Sequence, residues 1–168
     1  MLEVAPATTP EALDQTRALI RAFVGWHRGR HQEDLELIDE YFDPEEFESE
    51  LDSLPGKYAP PAGSLLLASL AGRPVGCVAL RAIDERRCEM KRMFVDPGVQ
   101  GKGVGRALAE ALIREARAIG YSSMLLDTSF RQVEALRLYA SLGFRRVEPY
   151  YELPERLQSW LVFMELPL

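Results

Sequence analysis

The residues with the clearest chemical potential lie between Glu89 and Arg106, in the stretch EMKRMFVDPGVQGKGVGR. A strand-like run ends at Met93-Phe94-Val95, and Asp96-Pro97-Gly98 breaks it. The glycine-spaced segment Gln100-Gly101-Lys102-Gly103-Val104-Gly105 then leads into a helix-forming run that begins at Arg106. Strand, glycine turn and helix N-terminus together make an anion site. The first-turn amides of a helix have no internal partners and the helix dipole adds partial positive charge, so phosphate oxygens are favoured there. Glycines allow positive φ and let the backbone approach a ligand with no Cβ between them. Arg86, Arg87, Lys91, Arg92, Lys102 and Arg106 gather positive charge around the same loop. On these residues alone, the alternative is a plain strand-to-helix connection with solvated basic neighbours. A dinucleotide fingerprint fits poorly, because the spacing is Gly-x-Gly-x-Gly rather than Gly-x-Gly-x-x-Gly and the loop lies past mid-chain. A nucleotide-triphosphate loop is excluded, since no Gly-Lys-Ser/Thr occurs.

Other chemically capable residues carry weaker signals. Cys77 and Cys88 are the only cysteines; they lack metal-ligand spacing and sit in apolar runs, which predicts buried, inert thiols. His27 and His31 lie one helical turn apart, but no Glu follows His27, so the zinc-binding His-Glu-x-x-His pattern is missing and no metal is expected. The acidic run from Asp43 to Asp52 is a solvated helix face or, functionally, an attractor of a cationic substrate.

The elements that must position the loop follow from periodicity and turn chemistry. Residues 9–26 predict an amphipathic helix: Thr8 or Thr9 can cap it, Pro10 suits the first turn, and Leu13, Ala18, Leu19, Ala22 and Phe23 recur at helical spacing. Gly25 and Gly29 then flank a polar break, and two shorter helical pieces follow at 33–41 and 44–54. Pro55-Gly56 and Pro60-Pro61-Ala62-Gly63 punctuate the chain. Strands at 64–70 and 75–82 form a hairpin across Ala71-Gly72-Arg73-Pro74, and a third strand at 87–95 runs into the glycine loop. A helix at 104–119 stops at Gly120, and a short buried strand at 123–126 ends at Asp127. Strand, crossover helix and parallel strand make the sheet mixed. A last helix at 133–142 closes at Gly143, and terminal strands at 144–147 and 161–166 enclose a loop at 148–159.

The bulk numbers agree with one α/β domain over residues 1–168, long enough to bury its own core. The composition is ordinary for a globular protein, at 47% hydrophobic and 27% charged. No apolar run approaches the 18 or more residues of a membrane span, and Met1-Leu2-Glu3-Val4 begins no signal peptide, so a soluble, cytoplasmic protein without a membrane partner is expected. A net charge of −6 argues against general nucleic-acid binding, which needs a basic face.

A second motif, Ala135-x-x-Leu138-Tyr139 running into Leu142-Gly143-Phe144, follows the βαβ unit. With Gln100-x-x-Gly103-x-Gly105 after Val95-Asp96-Pro97, it makes the chain resemble the GNAT superfamily of acyl-CoA-dependent N-acetyltransferases, most closely over residues 64–144. The resemblance implies a mainly antiparallel sheet of six or seven strands, flanked by helices, with a splayed central parallel pair. It implies acetyl-CoA as acyl donor, its pyrophosphate held at Gln100, Gly101, Lys102, Gly103, Val104, Gly105 and Arg106. The cofactor's amide-bearing arm would pair with Met93, Phe94 and Val95 as an added strand would. Gln132 stands where many members have Asn at the start of the last helix; it keeps the amide but reaches further. Tyr139 is implied as the general acid for the leaving thiolate. Glu89 is implied as a general base, with a salt bridge to Lys91 on the same strand face as the alternative. Direct transfer in a ternary complex is implied rather than an acyl-enzyme on Cys88.

The resemblance places the acceptor among the first helices and the late loop, which offer Trp26, His27, Arg28, His31, Tyr150 and Tyr151. Aromatics with Arg suit a small amine bearing a carboxylate, whereas a polyamine would use the acidic 43–52 helix. A protein N-terminus or lysine, a non-catalytic acyl-CoA sensor, and a homodimer are the other arrangements this fold leaves open.

Overall fold

One seven-stranded sheet in the order β1-β2-β3-β4-β5-β7-β6 runs through the protein, in a computed structural model that describes residues 1–168. The strands are β1 (Leu2–Pro6), β2 (Ser64–Leu70), β3 (Arg73–Ala82), β4 (Arg87–Val95), β5 (Ser123–Ser129), β6 (Arg145–Val147) and β7 (Leu161–Pro167). The helices are α1 (Pro10–Arg30), α2 (Leu35–Tyr41), α3 (Pro44–Asp52), α4 (Val104–Ile119), α5 (Val133–Ser141) and α6 (Glu155–Trp160). None of them is long and apolar enough to cross a membrane. The mixed, mainly antiparallel sheet expected from the sequence is present, with β4–β5 as its parallel pair.

The hairpin β2–β3 turns at Ala71 and Gly72, both with positive φ (51° and 78°), the backbone a two-residue turn between right-twisted strands requires. The apolar positions of β2, β3 and β4 divide between two cores. On one face, Leu66, Val78, Leu80, Cys88 and Met90 pack with Leu108, Leu112 and Ala116 of α4. On the other, Leu65, Leu67, Cys77 and Ala79 pack with Ile20 of α1, Leu51 of α3 and Tyr58. Burying one such leucine contributes about 1.5–3 kcal/mol, so the sheet is clamped from both sides. Both cysteines are fully buried and free, as expected, and burial pushes each thiol up to about 12.

The strand expected at 75–82 begins at Arg73 and the helix expected at 44–54 ends at Asp52, and four larger changes follow. Helix α1 runs to Arg30 instead of breaking near Trp26. Each internal glycine costs a helix about 1 kcal/mol, and the burial of Ile20 and His27 outweighs that. β1 was not anticipated; it pairs antiparallel with β2 from Leu2↔Leu70 to Pro6↔Leu66, too short to announce itself by periodicity. β5 extends past Asp127 to Ser129 because β7 pairs with it along its whole length. Within the expected 148–159 loop, residues 155–160 form α6, whose Trp160 buries against Ile38 and Phe42.

Two features of β4 matter for function. Its parallel pairing with β5 covers only Arg87↔Ser123, Cys88↔Met124 and Glu89↔Leu125, after which the strands diverge. Its register with β3 also shifts, since Ala79 faces Lys91 and Cys77 faces Phe94, leaving Arg92 and Met93 opposite Val78 alone. Arg92 adopts φ +60°, an unfavourable backbone for a side chain with a Cβ. Its guanidinium donates to both carboxylate oxygens of Glu50 at 2.8 and 3.0 Å and lies over the Phe42 ring. Each partner is 11% exposed.

This ion pair holds the bulge. Burial pushes the Glu50 carboxyl up, but Arg92 and then Lys57 outweigh it and hold the pKa at about 2, below the ordinary 4.5. Because the folded value is the lower one, the pair's stabilisation is complete above about pH 4.5 and is lost as pH falls toward 2. Glu50→Gln, which leaves Arg92 buried without its counter-charge, is expected to cost about 3–5 kcal/mol at neutral pH in urea denaturation. The gap from the wild type should narrow through that acid window; a gap constant with pH would refute the charge assignment.

Candidate active site

The glycine loop is shaped before any ligand arrives. Asp96 accepts from the Gly98 amide at 2.8 Å and from Arg73 at 2.6 Å, fixing the chain as it leaves β4. Gly101 and Gly103 have φ of +83° and +78°, and a Cβ at either would meet nothing within 4 Å. The dihedral, not crowding, therefore demands glycine. Gly105 differs: its Cβ would lie 3.3 Å from Leu138 and 3.6 Å from Val95, where α4 packs closely on α5 and β4. Helix α4 begins at Val104 with no side-chain cap and no acidic residue in its first turn. Its first amides and dipole are thus free to meet an anion.

A cavity of about 380 Å³ opens above this loop. Met93, Phe94, Val95, Gln100, Gly101, Gly103, Val104, Gly105 and Arg106 line it, with Phe23 and Trp26 of α1 on one side and Gln132 and Leu138 on the other. Arg106 is steadied by Ser141 at 2.6 Å, while the Lys102 side chain is exposed and outside the lining. A second, smaller cavity of about 60 Å³ lies where β4 and β5 splay, walled by Met90–Met93 and Leu126–Ser129. Met93 and Gln132 line both spaces. The Gln132 side chain is buried, and its Nε2 has no hydrogen-bond partner. An orphaned amide donor beside an unpaired strand edge is suited to an amide-bearing ligand threaded between the cavities.

Tyr139 of α5 lines the splay cavity; it is 5% exposed, and no protein group bonds its hydroxyl. Burial raises its pKa above the ordinary 10, so the phenol keeps its proton.

The far wall of the splay is a polar cluster. Asp127 of β5 accepts hydrogen bonds from the hydroxyls of Tyr41 and Tyr151. Glu89 accepts one from Tyr150 and forms an ion pair with Arg81 at 2.7 Å. Lys91 donates to the Tyr41 hydroxyl at 3.3 Å and lies 5.5 Å from the centre of that ring. Burial raises the pKa values of Tyr41, Tyr150 and Tyr151, and the Asp127 charge raises them further. Glu89 is pushed up by burial, but the Lys91 charge and the bonds from Tyr150 and Arg81 bring it below its ordinary 4.5. The alternative reading of Glu89, a salt bridge to Lys91, gives way to direct contact with Arg81, because Arg81 faces Glu89 across the β3–β4 ladder.

The expected acceptor residues separate. Tyr150 and Tyr151 donate to Glu89 and Asp127 behind the splay, and neither lines the splay cavity or the glycine-loop cavity. Trp26 belongs to the glycine-loop cavity instead, with Arg30 over its ring. Arg28 is not brought to the site; it pairs with Asp39 on the exposed side of α1. His31 is buried at the end of α1 against His27 and Trp26, and lines neither cavity. His27 stacks on Trp160 at the edge of the splay, its pKa lowered to about 4 by burial and then by His31. The acidic helix α3 lines a separate cavity of about 630 Å³, which shares Tyr41, Phe42 and Arg92 with the splay. Lys91, Tyr41 and Asp127 were not anticipated as a group. Asp127 carried the one available signal, an acid closing an apolar strand at the carboxyl end of a parallel pair, where α/β sheets bind ligands.

Known proteins share this architecture. The profile of the Acetyltransferase (GNAT) family matches residues 21–144. An uncharacterised N-acetyltransferase of Schizosaccharomyces pombe is 43% identical over 100 residues, 58% of this chain and 61% of the relative. The N-acetylaspartate synthetase of Danio rerio is 41% identical over 92 residues, 54% of this chain but only 33% of the relative. The matches thus span less than two thirds of these relatives' lengths. The crystal structure of PaiA N-acetyltransferase from Thermoplasma acidophilum, in complex with coenzyme A, superposes with a TM-score of 0.73 over 100% of this chain and 99% of that one. At 16% identity, it shares the fold.

Replacing Asp127 by Asn keeps the shape of the cluster but removes its charge. The expected loss is about 1.5–3 kcal/mol of stability, the scale of a hydrogen bond to a charged group. An ultraviolet absorbance titration should also show tyrosines ionising at lower pH than in the wild type, since the Asp127 charge holds their pKa values up. An unchanged titration would remove Asp127 from the cluster's electrostatics.

Proposed function

This chain belongs to the Acetyltransferase (GNAT) family, and we propose that it acetylates the primary amine of a small, amino-acid-like molecule by direct transfer in a ternary complex. The observation that carries the proposal is the meeting of two cavities at the β4–β5 splay, with Gln132 shared between them and the unbonded Tyr139 hydroxyl on the inner one. Acetyl-CoA is the acyl donor; it supplies a thioester-activated acetyl group and departs as coenzyme A.

The chain's own residues divide the work. Amides from Gly101 to Arg106 and the positive end of α4 hold the pyrophosphate, with Arg106 adding charge at the rim. The open edge of β4 over Met93, Phe94 and Val95 and the orphan amide of Gln132 take the amide groups of the arm. Tyr139 keeps its proton through burial and holds it beside the splay, where the leaving sulfur needs one. Glu89 suits an organising role better than that of a base. Its two oxygens are engaged by Arg81 and Tyr150 and its pKa is lowered, which weakens it as a proton acceptor while tying the segment of Tyr150 to β4. The small volume of the splay cavity favours a small acceptor. Relatives named N-acetylaspartate synthetase support an amino acid as its class.

A thiol-release assay with acetyl-CoA and a panel of amines should find turnover. Coenzyme binding without turnover of any amine would instead favour a non-catalytic acyl-CoA sensor on the same fold. Tyr139→Phe is expected to lower kcat by about 100-fold, the lower end of general-acid effects, while coenzyme A still raises Tm as in the wild type. An unchanged kcat would remove Tyr139 as the acid. Gly103→Asp should weaken coenzyme A binding by far more than the roughly 1 kcal/mol its positive φ costs the fold; equal losses of binding and stability would refute the cradle.

A further inference from the structure

We propose that Lys91 is the specificity-determining residue of the acceptor pocket and that it selects an amine bearing a carboxylate, by pairing its ammonium with that carboxylate. The inference rests on the acetyl-transfer reading above.

It comes from a census of which charges around the splay already have partners. An ionised carboxylate only accepts hydrogen bonds, and an ammonium only donates, with three N–H groups to place. The carboxylates here are engaged on both oxygens: Glu89 by Arg81 and Tyr150, Glu50 by Arg92 and Lys57, and Asp127 by Tyr41 and Tyr151. Arg81 and Arg92 are each bound to a carboxylate at 2.7–2.8 Å. Lys91 is the exception. It lies within 4.0 Å of no carboxylate, and its one hydrogen bond is a 3.3 Å contact to a phenol. Its side chain lines the splay cavity, between Met90 and the bulge at Arg92.

Lys91 therefore keeps N–H groups free for an incoming carboxylate, linked to Asp127 only through the Tyr41 hydroxyl, while each carboxylate oxygen here already holds a donor. A carboxylate on the acceptor gives those N–H groups a charged partner, whereas a polyamine would bring a second cation beside Lys91. The acidic helix α3 does not reverse this, because its inward member, Glu50, is held by Arg92 and Lys57. Burial pulls the Lys91 ammonium below its ordinary 10.5, with Asp127 and Glu89 opposing and Arg92 and Lys57 adding to the pull. An arriving carboxylate would act in the opposite direction, toward the charged form.

The test compares two acceptors that differ only in the carboxylate: the best α-amino acid substrate found for the wild type, and the amine left by its decarboxylation. The wild type should prefer the amino acid by at least tenfold in kcat/KM. Lys91→Met, which keeps the unbranched stem but removes the ammonium, should lose about ten- to hundredfold on the amino acid, the scale of a charge-assisted hydrogen bond, mainly through KM. The decarboxylated amine should stay within about twofold, Lys91→Arg should restore part of the preference, and coenzyme A affinity should not move. Equal losses on both acceptors would overturn the proposal, because they would place the ammonium on the acyl carbonyl instead. No preference in the wild type would overturn it without any variant, so the result stands even if Lys91→Met does not fold. Wild-type turnover of no amine at all would fell the parent reading, and this one with it.

Discussion

The structure depends on one constraint: β4 and β5 run parallel as hydrogen-bonded neighbours for three residue pairs and then separate. A strand edge in the interior carries amides and carbonyls that must be paired, and leaving them bare costs free energy comparable to the lost bonds. Neighbours on both sides sustain the divergence. β3 holds β4 through the bulge at Arg92, and β7 holds β5 along its full length to Ser129. The sheet thus stays intact while its centre opens. The opening leaves an edge of β4 suited to a ligand with the hydrogen-bonding character of a strand.

Electrostatics keeps the opening in shape. The buried acids near it each hold two donors, and those donors come from distant parts of the chain: Tyr41 from α2, Arg81 from β3, Tyr150 and Tyr151 from the segment before α6. Each bond ties a separate element to the β4–β5 wall. Buried ion pairs of this kind add little net stability over apolar packing, yet losing one partner is costly. The arrangement therefore fixes the relative positions of helices and loop more than it deepens the energy well. Arg92 shows the same logic in the backbone, where an unfavourable φ is held by a two-point bond to Glu50.

The glycine loop and its helix were legible in the sequence because their signals are local. Gly101 and Gly103 are needed for dihedrals that depend only on the chain's own sterics, and α4 follows from apolar side chains at helical spacing. The Leu138-Tyr139 helix and the Gly143 stop were legible for the same reason. The boundaries of α1 and β5 were not, since packing and strand pairing with residues far along the chain extended both. The acceptor side was least legible. Tyr150 and Tyr151, expected there as polar aromatics in a late loop, bond to Glu89 and Asp127, Arg28 and His31 point elsewhere, and Asp127, Lys91 and Tyr41 had no shared spacing to connect them.

Residues 89–106 by themselves thus determined a glycine turn from a strand into a helix N-terminus, and two motifs in order pointed to the family to which the chain belongs. Tertiary structure alone decided which charges meet. Local backbone geometry is set by neighbours within a few positions. The partner of a buried charge is set by elements that lie 8, 42 or 86 residues away in the chain and adjacent in space, as for Arg81 with Glu89, Arg92 with Glu50 and Tyr41 with Asp127. Those pairings leave Lys91 with no carboxylate in direct contact, an arrangement invisible in the linear order.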